Sequence, residues 1–240
     1  MDKLIDIINP TGVFLLTLIA FLSTFKYESS WLYCLTIFFI SAGIFSLSNL
    51  KVSKISKALS FIYSIVLISI GLAIPILISK SAFIVFILIT IFGIGYASSK
   101  LFFKSSIYFV FYSAIFSTII ILPEISIERI LSSISFLFVM LSFFMYRDIT
   151  LSLSDKNKTK MNLISSKIGI FKTRNIGRAF SIVSILFIVI YNMISSNLFS
   201  SQIIFGLSIL ILMVAMFTKS KISEKILLIV MALIILSTMI

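Results

Sequence analysis

Long apolar runs, separated by short polar islands, follow one another along the whole chain. A helix rises about 1.5 Å per residue, so about 20 apolar residues are needed to cross the roughly 30 Å hydrocarbon layer of a membrane. The pattern therefore predicts nine membrane-spanning helices. They cover residues 10–25, 31–49, 58–79, 82–98, 106–122, 130–146, 179–198, 201–217 and 226–240.

The basic residues indicate which side of the membrane each connection faces, because cytoplasmic loops are enriched in Lys and Arg. All 20 basic residues except Lys26, Lys80 and Arg129 fall at the N-terminus or in the even-numbered connections. A wrong number of spans would mix the two sides and destroy this asymmetry. We therefore predict a cytoplasmic N-terminus and a C-terminus on the outside, in the plasma membrane of a prokaryote.

The composition supports a membrane location and excludes several kinds of chemistry. Hydrophobic residues make up 60% of the chain and charged residues 12%, and the mean hydropathy is +1.23, which rules out a water-soluble domain. Histidine is absent and Cys34 is the single cysteine, so Cys/His zinc sites and histidine-ligated haem are excluded. The net charge of +12 lies between the spans, so membrane topology explains it and no nucleic-acid partner is predicted.

Acidic residues are confined to the ends of the predicted spans or to the connections between them. A charge inside a span costs several kcal/mol and usually marks a transport path, so this distribution argues against an ion-coupled transporter. The polar residues that could carry function are concentrated in three connections on the predicted cytoplasmic side. These connections cover about residues 49–57, 99–105 and 147–178.

The third of these connections contains two acids seven residues apart. It begins Arg147-Asp148-Ile149-Thr150-Leu151-Ser152-Leu153-Ser154-Asp155-Lys156. This segment resembles an Asp-rich motif of the UbiA superfamily of intramembrane prenyltransferases, with Asp148 and Asp155 at the first and last acidic positions and Leu151 at the middle one. Gly169, further along, lies one residue later than the glycine of the family pattern.

The other two connections carry weaker likenesses to the same family. Asn49 matches the asparagine that opens the family's first Asp-rich motif, but Leu50, Ser53 and Lys57 occupy its three acidic positions. Tyr96 and Lys100 resemble the family's Tyr-x-x-x-Lys motif. Lys104 lies one helical turn further on.

The resemblance implies a fold and an activity. The fold is an all-α polytopic membrane protein, a single domain over residues 1–240 with about nine transmembrane helices around a central apolar cavity. The activity is transfer of a prenyl group from a polyprenyl diphosphate to a small or aromatic acceptor. Family members hold the diphosphate with magnesium, so the resemblance implies Asp148 and Asp155 as metal ligands and, with Tyr96 and Lys100, as catalytic residues.

The missing acids change the chemistry that we expect at the predicted cytoplasmic connections. Asp148 and Asp155 would lie about 10 Å apart on one face of a continuous helix, which does not support two-metal chemistry. The first motif instead contains Lys51, Lys54 and Lys57, of which Lys57 occupies an acidic position, and these lysines would share one helix face. We therefore expect cations to hold a diphosphate or anionic head group directly. The predicted diphosphate-binding residues are Asn49, Lys54, Lys57, Lys104 and Arg147.

Structural alternatives stand beside these assignments. The lysines could instead anchor the protein to an anionic leaflet, and Asp148 could form an exposed salt bridge with Arg147 or Lys156. Aromatic rings, chiefly Tyr96, Tyr108 and Tyr112, are candidates for the lining of a prenyl cavity.

Two functions are consistent with the sequence. The first is a UbiA-like prenyltransferase homologue whose activity is weakened or lost, with a polyprenyl phosphate or diphosphate as its partner. The alternative is a non-catalytic lipid- or quinone-binding structural subunit of a membrane protein complex, with other membrane subunits as its partners.

Cysteine accessibility in oriented vesicles tests the predicted topology, after Cys34 has been replaced. We expect a Lys156→Cys variant to react with a membrane-impermeant thiol reagent from the cytoplasmic side, because position 156 belongs to the side rich in Lys and Arg. A Lys26→Cys variant is the control and should react from the outside. Labelling of position 156 from the outside alone would contradict the topology.

Overall fold

The computed structural model describes residues 10–48, 57–98, 108–122, 124–154, 164–194 and 199–239, and within these ranges every regular element is a helix. The helices are α1 (Pro10–Thr24), α2 (Ser30–Ser48), α3 (Lys57–Ala73), α4 (Lys80–Ser98), α5 (Tyr108–Ile119), α6 (Ile127–Ser154), α7 (Ile164–Ile168), α8 (Ile170–Ile194), α9 (Phe199–Phe217) and α10 (Ser220–Met239). A short 3₁₀ turn, Ile74–Leu77, follows α3.

Each of the nine predicted spans corresponds to one helix of 12 or more residues in the described part of the chain, which confirms the all-α fold class. Two helices extend beyond their predicted apolar runs into the third motif connection, residues 147–178. Helix α6 continues to Ser154 and α8 begins at Ile170, so residues 147–154 and 170–178 are helical and not loop. The apolar run measures only the part of a helix that lies in hydrocarbon, whereas its polar tip can extend into the head-group region.

The lengths and compositions of these helices are those of an integral membrane protein. Five of the described helices are long and apolar enough to cross a bilayer, and shorter apolar helices cover Val13–Thr24, Tyr108–Ile119 and Gln202–Phe217. Large apolar side chains such as Phe14, Leu77 and Phe217 are between 64% and 80% exposed. In a membrane these side chains face lipid and carry no penalty.

Contacts between Cα atoms divide the helices into two compact units. The N-terminal unit contains α1 to α5 and the C-terminal unit contains α6 to α10. In the N-terminal unit, α2 packs against α1, α3 and α4, and most of its second half is buried.

Glycines allow the helices of the N-terminal unit to approach closely. A Cβ atom added at Gly43 of α2 would lie 2.9 Å from the carbonyl oxygen of Ser64 on α3. At Gly93 of α4, an added Cβ would overlap the side chain of Ile44 on α2. Small residues serve this purpose in membrane proteins because helix association depends on close packing and not on exclusion of water.

Serine pairs join α6 to α8 in the C-terminal unit. The hydroxyl oxygens of Ser135 and Ser184 are 2.8 Å apart, and so are those of Ser142 and Ser181. The Ser142 hydroxyl also donates to the carbonyl oxygen of Gly177 at 2.9 Å. These polar groups are buried and satisfied by one another, which is the condition for keeping them inside a membrane bundle.

We expect the Gly43→Ala substitution to destabilise the protein by about 1–3 kcal/mol, because the added methyl group would meet a backbone carbonyl of α3 that cannot rotate away. Gly206→Ala on α9 is the matched control, since nothing lies within 4 Å of an added Cβ there. Its effect should be neutral, or stabilising by up to about 1 kcal/mol. Thermal unfolding in detergent measures both variants, and equal effects would contradict the close approach of α2 and α3.

Candidate functional site

Three helix ends meet on one side of the N-terminal unit. They are the end of α2, the end of α4 and the start of α5, as shown by ring-centroid distances of 5.9 Å for Phe45–Tyr96 and 6.1 Å for Tyr96–Tyr108. The predicted motif connections leave from these ends, because Asn49 follows α2 directly and Lys100 follows α4 by two residues. The structure therefore brings Tyr96 close to the last described turn of α2 and to the start of α5.

An aromatic cluster fills this end of the unit. Tyr112 lies 5.5 Å from Tyr96, 6.4 Å from Phe45 and 4.7 Å from Phe116, measured between ring centroids. Tyr96, Tyr108 and Tyr112, the three rings predicted to act together, thus belong to one cluster. The sequence analysis missed Phe45, although its position one helical turn before Asn49 was a usable signal.

A small apolar void continues from the aromatic cluster into the N-terminal unit. Its volume is about 10 Å³, and its walls include Leu16, Ile37, Ile44, Phe45 and Ile89. This is room for about one water molecule. An isoprenyl chain would enter this void only if the surrounding side chains moved.

Asp148 lies near the end of α6, in the C-terminal unit, and holds the start of the short helix α7. One of its carboxylate oxygens accepts the backbone N–H of Ser165 at 2.7 Å, and the other accepts that of Ile164 at 3.2 Å. The Ser165 hydroxyl donates to the backbone carbonyl of Asp148 at 3.4 Å. The first N–H groups of a helix have no partner within the helix, so a carboxylate placed there stabilises it.

This arrangement bears on the predicted role of Asp148 as a metal ligand. Magnesium prefers several hard oxygen ligands in near-octahedral geometry, whereas each oxygen of this carboxylate already accepts one backbone hydrogen bond. The second predicted ligand, Asp155, lies outside the described residues. Among the residues that are described, no three Asp, Glu or Cys side chains come together.

The remaining predicted site residues are distributed as follows. Arg147 is exposed on α6, and the structure contains no ion pair between it and Asp148 in the described ranges. Lys57 begins α3, but its side chain lies outside the described part of the chain. Outside it altogether lie Asn49, Lys54, Lys100 and Lys104.

Arg178 of α8 is a further polar residue that the sequence analysis assigned only to membrane topology. Its Nε donates to the carbonyl oxygen of Met216 at 2.9 Å, and its Cζ lies 5.9 Å from the ring centre of Phe217. These two residues end α9, where unpaired carbonyls and the helix dipole favour a cation. Arg178 therefore joins the C-terminal end of α9 to α8 through a hydrogen bond and a cation–π contact.

Solved structures share this arrangement of helices. A structure of digeranylgeranylglyceryl phosphate synthase aligns with a TM-score of 0.79 at 15% identity, over 100% of this chain and 98% of that chain. A UbiA homologue from Archaeoglobus fulgidus, bound to GPP and Mg²⁺, aligns with a TM-score of 0.73 at 14% identity, over 98% of each chain. The apo structure of a UbiA homologue from Aeropyrum pernix K1 gives 0.63 at 13% identity, over 94% of each.

The amino-acid sequence matches no family model and none of the curated proteins. The helix order and the alignment over nearly the whole chain nevertheless agree with the resemblance found in the motif connections. This chain therefore has the fold of the UbiA superfamily of intramembrane prenyltransferases.

Proposed function

We propose that this protein is a UbiA-type membrane protein that binds a polyprenyl phosphate or diphosphate, and that its prenyl-transfer activity is weakened or lost. The ancestral reaction is transfer of the prenyl group to a small or aromatic acceptor. The observation that carries the proposal is the position of Asp148, whose carboxylate is bonded to the backbone of α7.

The class of ligand is supported by the fold and by the charge of the motif connections. A homologue with this fold has been solved with GPP and Mg²⁺ bound. In this chain Lys54, Lys57 and Lys104 accompany Asn49 and Lys100 in the connections that leave the aromatic cluster. Ammonium groups form charge-assisted hydrogen bonds with phosphate oxygens, so we assign the phosphate to these residues.

The loss of catalysis is supported by the replaced acids. Magnesium would bridge the leaving phosphates and neutralise their charge, and it needs carboxylates to hold it. Leu50, Ser53, Lys57 and Leu151 stand at four of the family's acidic positions. Asp148 would have to weaken its bonds to α7 in order to hold a metal. Its assignment, with Asp155, as a magnesium ligand stays a prediction.

The aromatic cluster supports the assignment of the prenyl tail to the N-terminal unit. Tyr96, Tyr108 and Tyr112 present ring faces next to the helix ends, and such faces accommodate an isoprenoid chain and stabilise positive charge. The tail would extend past Phe45 towards the apolar void. A catalytic role for Tyr96 and Lys100 depends on residual transfer activity.

The hydrogen bonds between the Asp148 carboxylate and the backbone of α7 also favour a second candidate. This candidate is a non-catalytic lipid- or quinone-binding structural subunit of a membrane protein complex. A quinone carries no phosphate, so its binding should not depend on lysines in the motif connections. Lysine variants therefore distinguish a quinone-binding subunit from the first candidate.

We expect the Asp148→Ala substitution to lower the free energy of unfolding by about 1 kcal/mol, because it removes the cap from α7. Asp148→Asn should retain most of the stability, since Asn caps a helix about as well as Asp. With magnesium and a polyprenyl diphosphate, wild-type protein should give no appreciable prenyl transfer to aromatic acceptors. Thermal unfolding and a radiolabelled transfer assay measure these outcomes.

A different pattern would contradict the loss of catalysis. If the wild-type protein shows robust magnesium-dependent turnover, and Asp148→Asn abolishes it without changing stability, the carboxylate acts as a metal ligand and the proposal fails.

The lysines of the motif connection at residues 49–57 provide a further test. Replacing Lys54 and Lys57 together by Gln should weaken binding of a polyprenyl phosphate about tenfold to a hundredfold, since one hydrogen bond to a charged group contributes about 1.5–3 kcal/mol. Binding can be measured by scintillation proximity with labelled ligand on purified protein in detergent.

Lys219 and Lys221 are the matched control pair, because both are exposed around the start of α10, far along the chain from the motif connections. Their replacement by Gln should leave affinity within about twofold. Small, equal losses in both double variants that shrink with added salt would mean that the lysines serve only membrane topology.

A further inference from the structure

A second group of polar side chains lies between α6 and α8, within the C-terminal unit. Tyr146 of α6 is fully buried, and its ring lies against Gly177, where an added Cβ would come within 3.3 Å of the ring atom Cε2. Arg174 and Arg178 are spaced four residues apart on α8, so they share one helix face. Both guanidinium groups interact electrostatically with Tyr146.

One buried polar atom of this group, the Nε of Arg174, lacks a partner in the described structure. The buried Tyr146 hydroxyl interacts with the guanidinium group of Arg178. An unsatisfied buried donor is costly, about 1–3 kcal/mol, and more when the group is charged. Native proteins rarely retain such atoms unless a ligand or water completes the site.

The charges nearby are unbalanced. Lys167, Lys172, Arg174 and Arg178 lie between residues 164 and 178, where no acid occurs. The acid nearest to them along the described chain is Asp148, and α7 amides already bond to both of its oxygens. The Met216 carbonyl and the Tyr146 hydroxyl account for two of the five N–H donors of Arg178. Arg174 and Arg178 are partly exposed.

We propose that Arg174 and Arg178, next to the Tyr146 hydroxyl, form a binding site for a single phosphate group. Guanidinium groups pair with phosphate oxygens in a bidentate manner, and two of them on one helix face can hold one phosphate between them. The phosphate could come from the head group of an anionic phospholipid or from a free phosphate ion. The site lies wholly within the C-terminal unit, so it does not depend on the proposed binding of a prenyl phosphate.

The test uses the intact chain, purified in a neutral detergent and delipidated. Dihexanoyl phosphatidic acid, dihexanoyl phosphatidylcholine and inorganic phosphate are titrated separately, and binding is followed by native mass spectrometry and by the shift in thermal unfolding. We expect saturable binding of phosphatidic acid to wild type. If inorganic phosphate saturates the site at similar concentrations, the ligand is a free anion. If only phosphatidic acid saturates the site, the ligand is a lipid head group.

Variants then locate the site. Arg174→Gln should raise the apparent dissociation constant for phosphatidic acid about tenfold or more, because a charge-assisted contact is lost. Lys172→Gln is the matched control, since it removes the same charge from an exposed position two residues away and should change the constant less than about twofold. Tyr146→Phe keeps the ring against Gly177 and should weaken binding by an intermediate factor through poorer positioning of the guanidinium groups.

Three results would overturn the proposal. The first is that wild type shows no saturable binding of either phosphate probe. The second is that Arg174→Gln and Lys172→Gln weaken binding equally, which would indicate a diffuse surface charge. The third is that Asp155→Asn and Arg174→Gln lower stability equally with no ligand present, which would show that the anion at Arg174 is the protein's own carboxylate.

Discussion

The hydrocarbon interior of a membrane offers no hydrogen bonds to the backbone, and this constraint governs the rest of the structure. Every N–H and C=O group must find its partner within the protein, so the apolar runs become helices. The helices cannot gain from excluding water, so they associate through close packing and buried hydroxyl pairs. Gly43 against α3 and Ser142 against Ser181 are two outcomes of this single requirement.

The same requirement extends to the polar tips of the helices. Asp148 supplies acceptors to the first N–H groups of α7, and Arg178 supplies a donor to the last carbonyl groups of α9. Both residues therefore join neighbouring helices through their unpaired ends. A carboxylate that accepts backbone hydrogen bonds has fewer lone pairs to offer a metal ion. This competition links the packing of the C-terminal unit to the proposed loss of catalysis.

The two units contribute different chemistry. In the N-terminal unit, an aromatic cluster around Tyr96 lies at the ends of α2 and α4 and the start of α5. In the C-terminal unit, Arg174 and Arg178 lie next to Tyr146, and the buried Nε of Arg174 is unsatisfied. An anionic group attached to a lipid is the ligand that we propose for both arrangements, in keeping with basic residues at one predicted surface of the membrane.

The sequence by itself determined the all-α fold class and a helix at each predicted span in the described ranges, because apolar run length is set by membrane thickness and hardly depends on tertiary contacts. It also named Tyr96, Tyr108 and Tyr112, whose rings lie in one cluster, whereas their role as the lining of a prenyl cavity stays a prediction. Only the tertiary structure decided that α6 continues through Asp148 to Ser154, that Asp148 caps α7 and that Arg174 approaches Tyr146. These features depend on which helix tips meet in space, and a pattern of apolar and polar residues along the chain carries no information about such long-range partners.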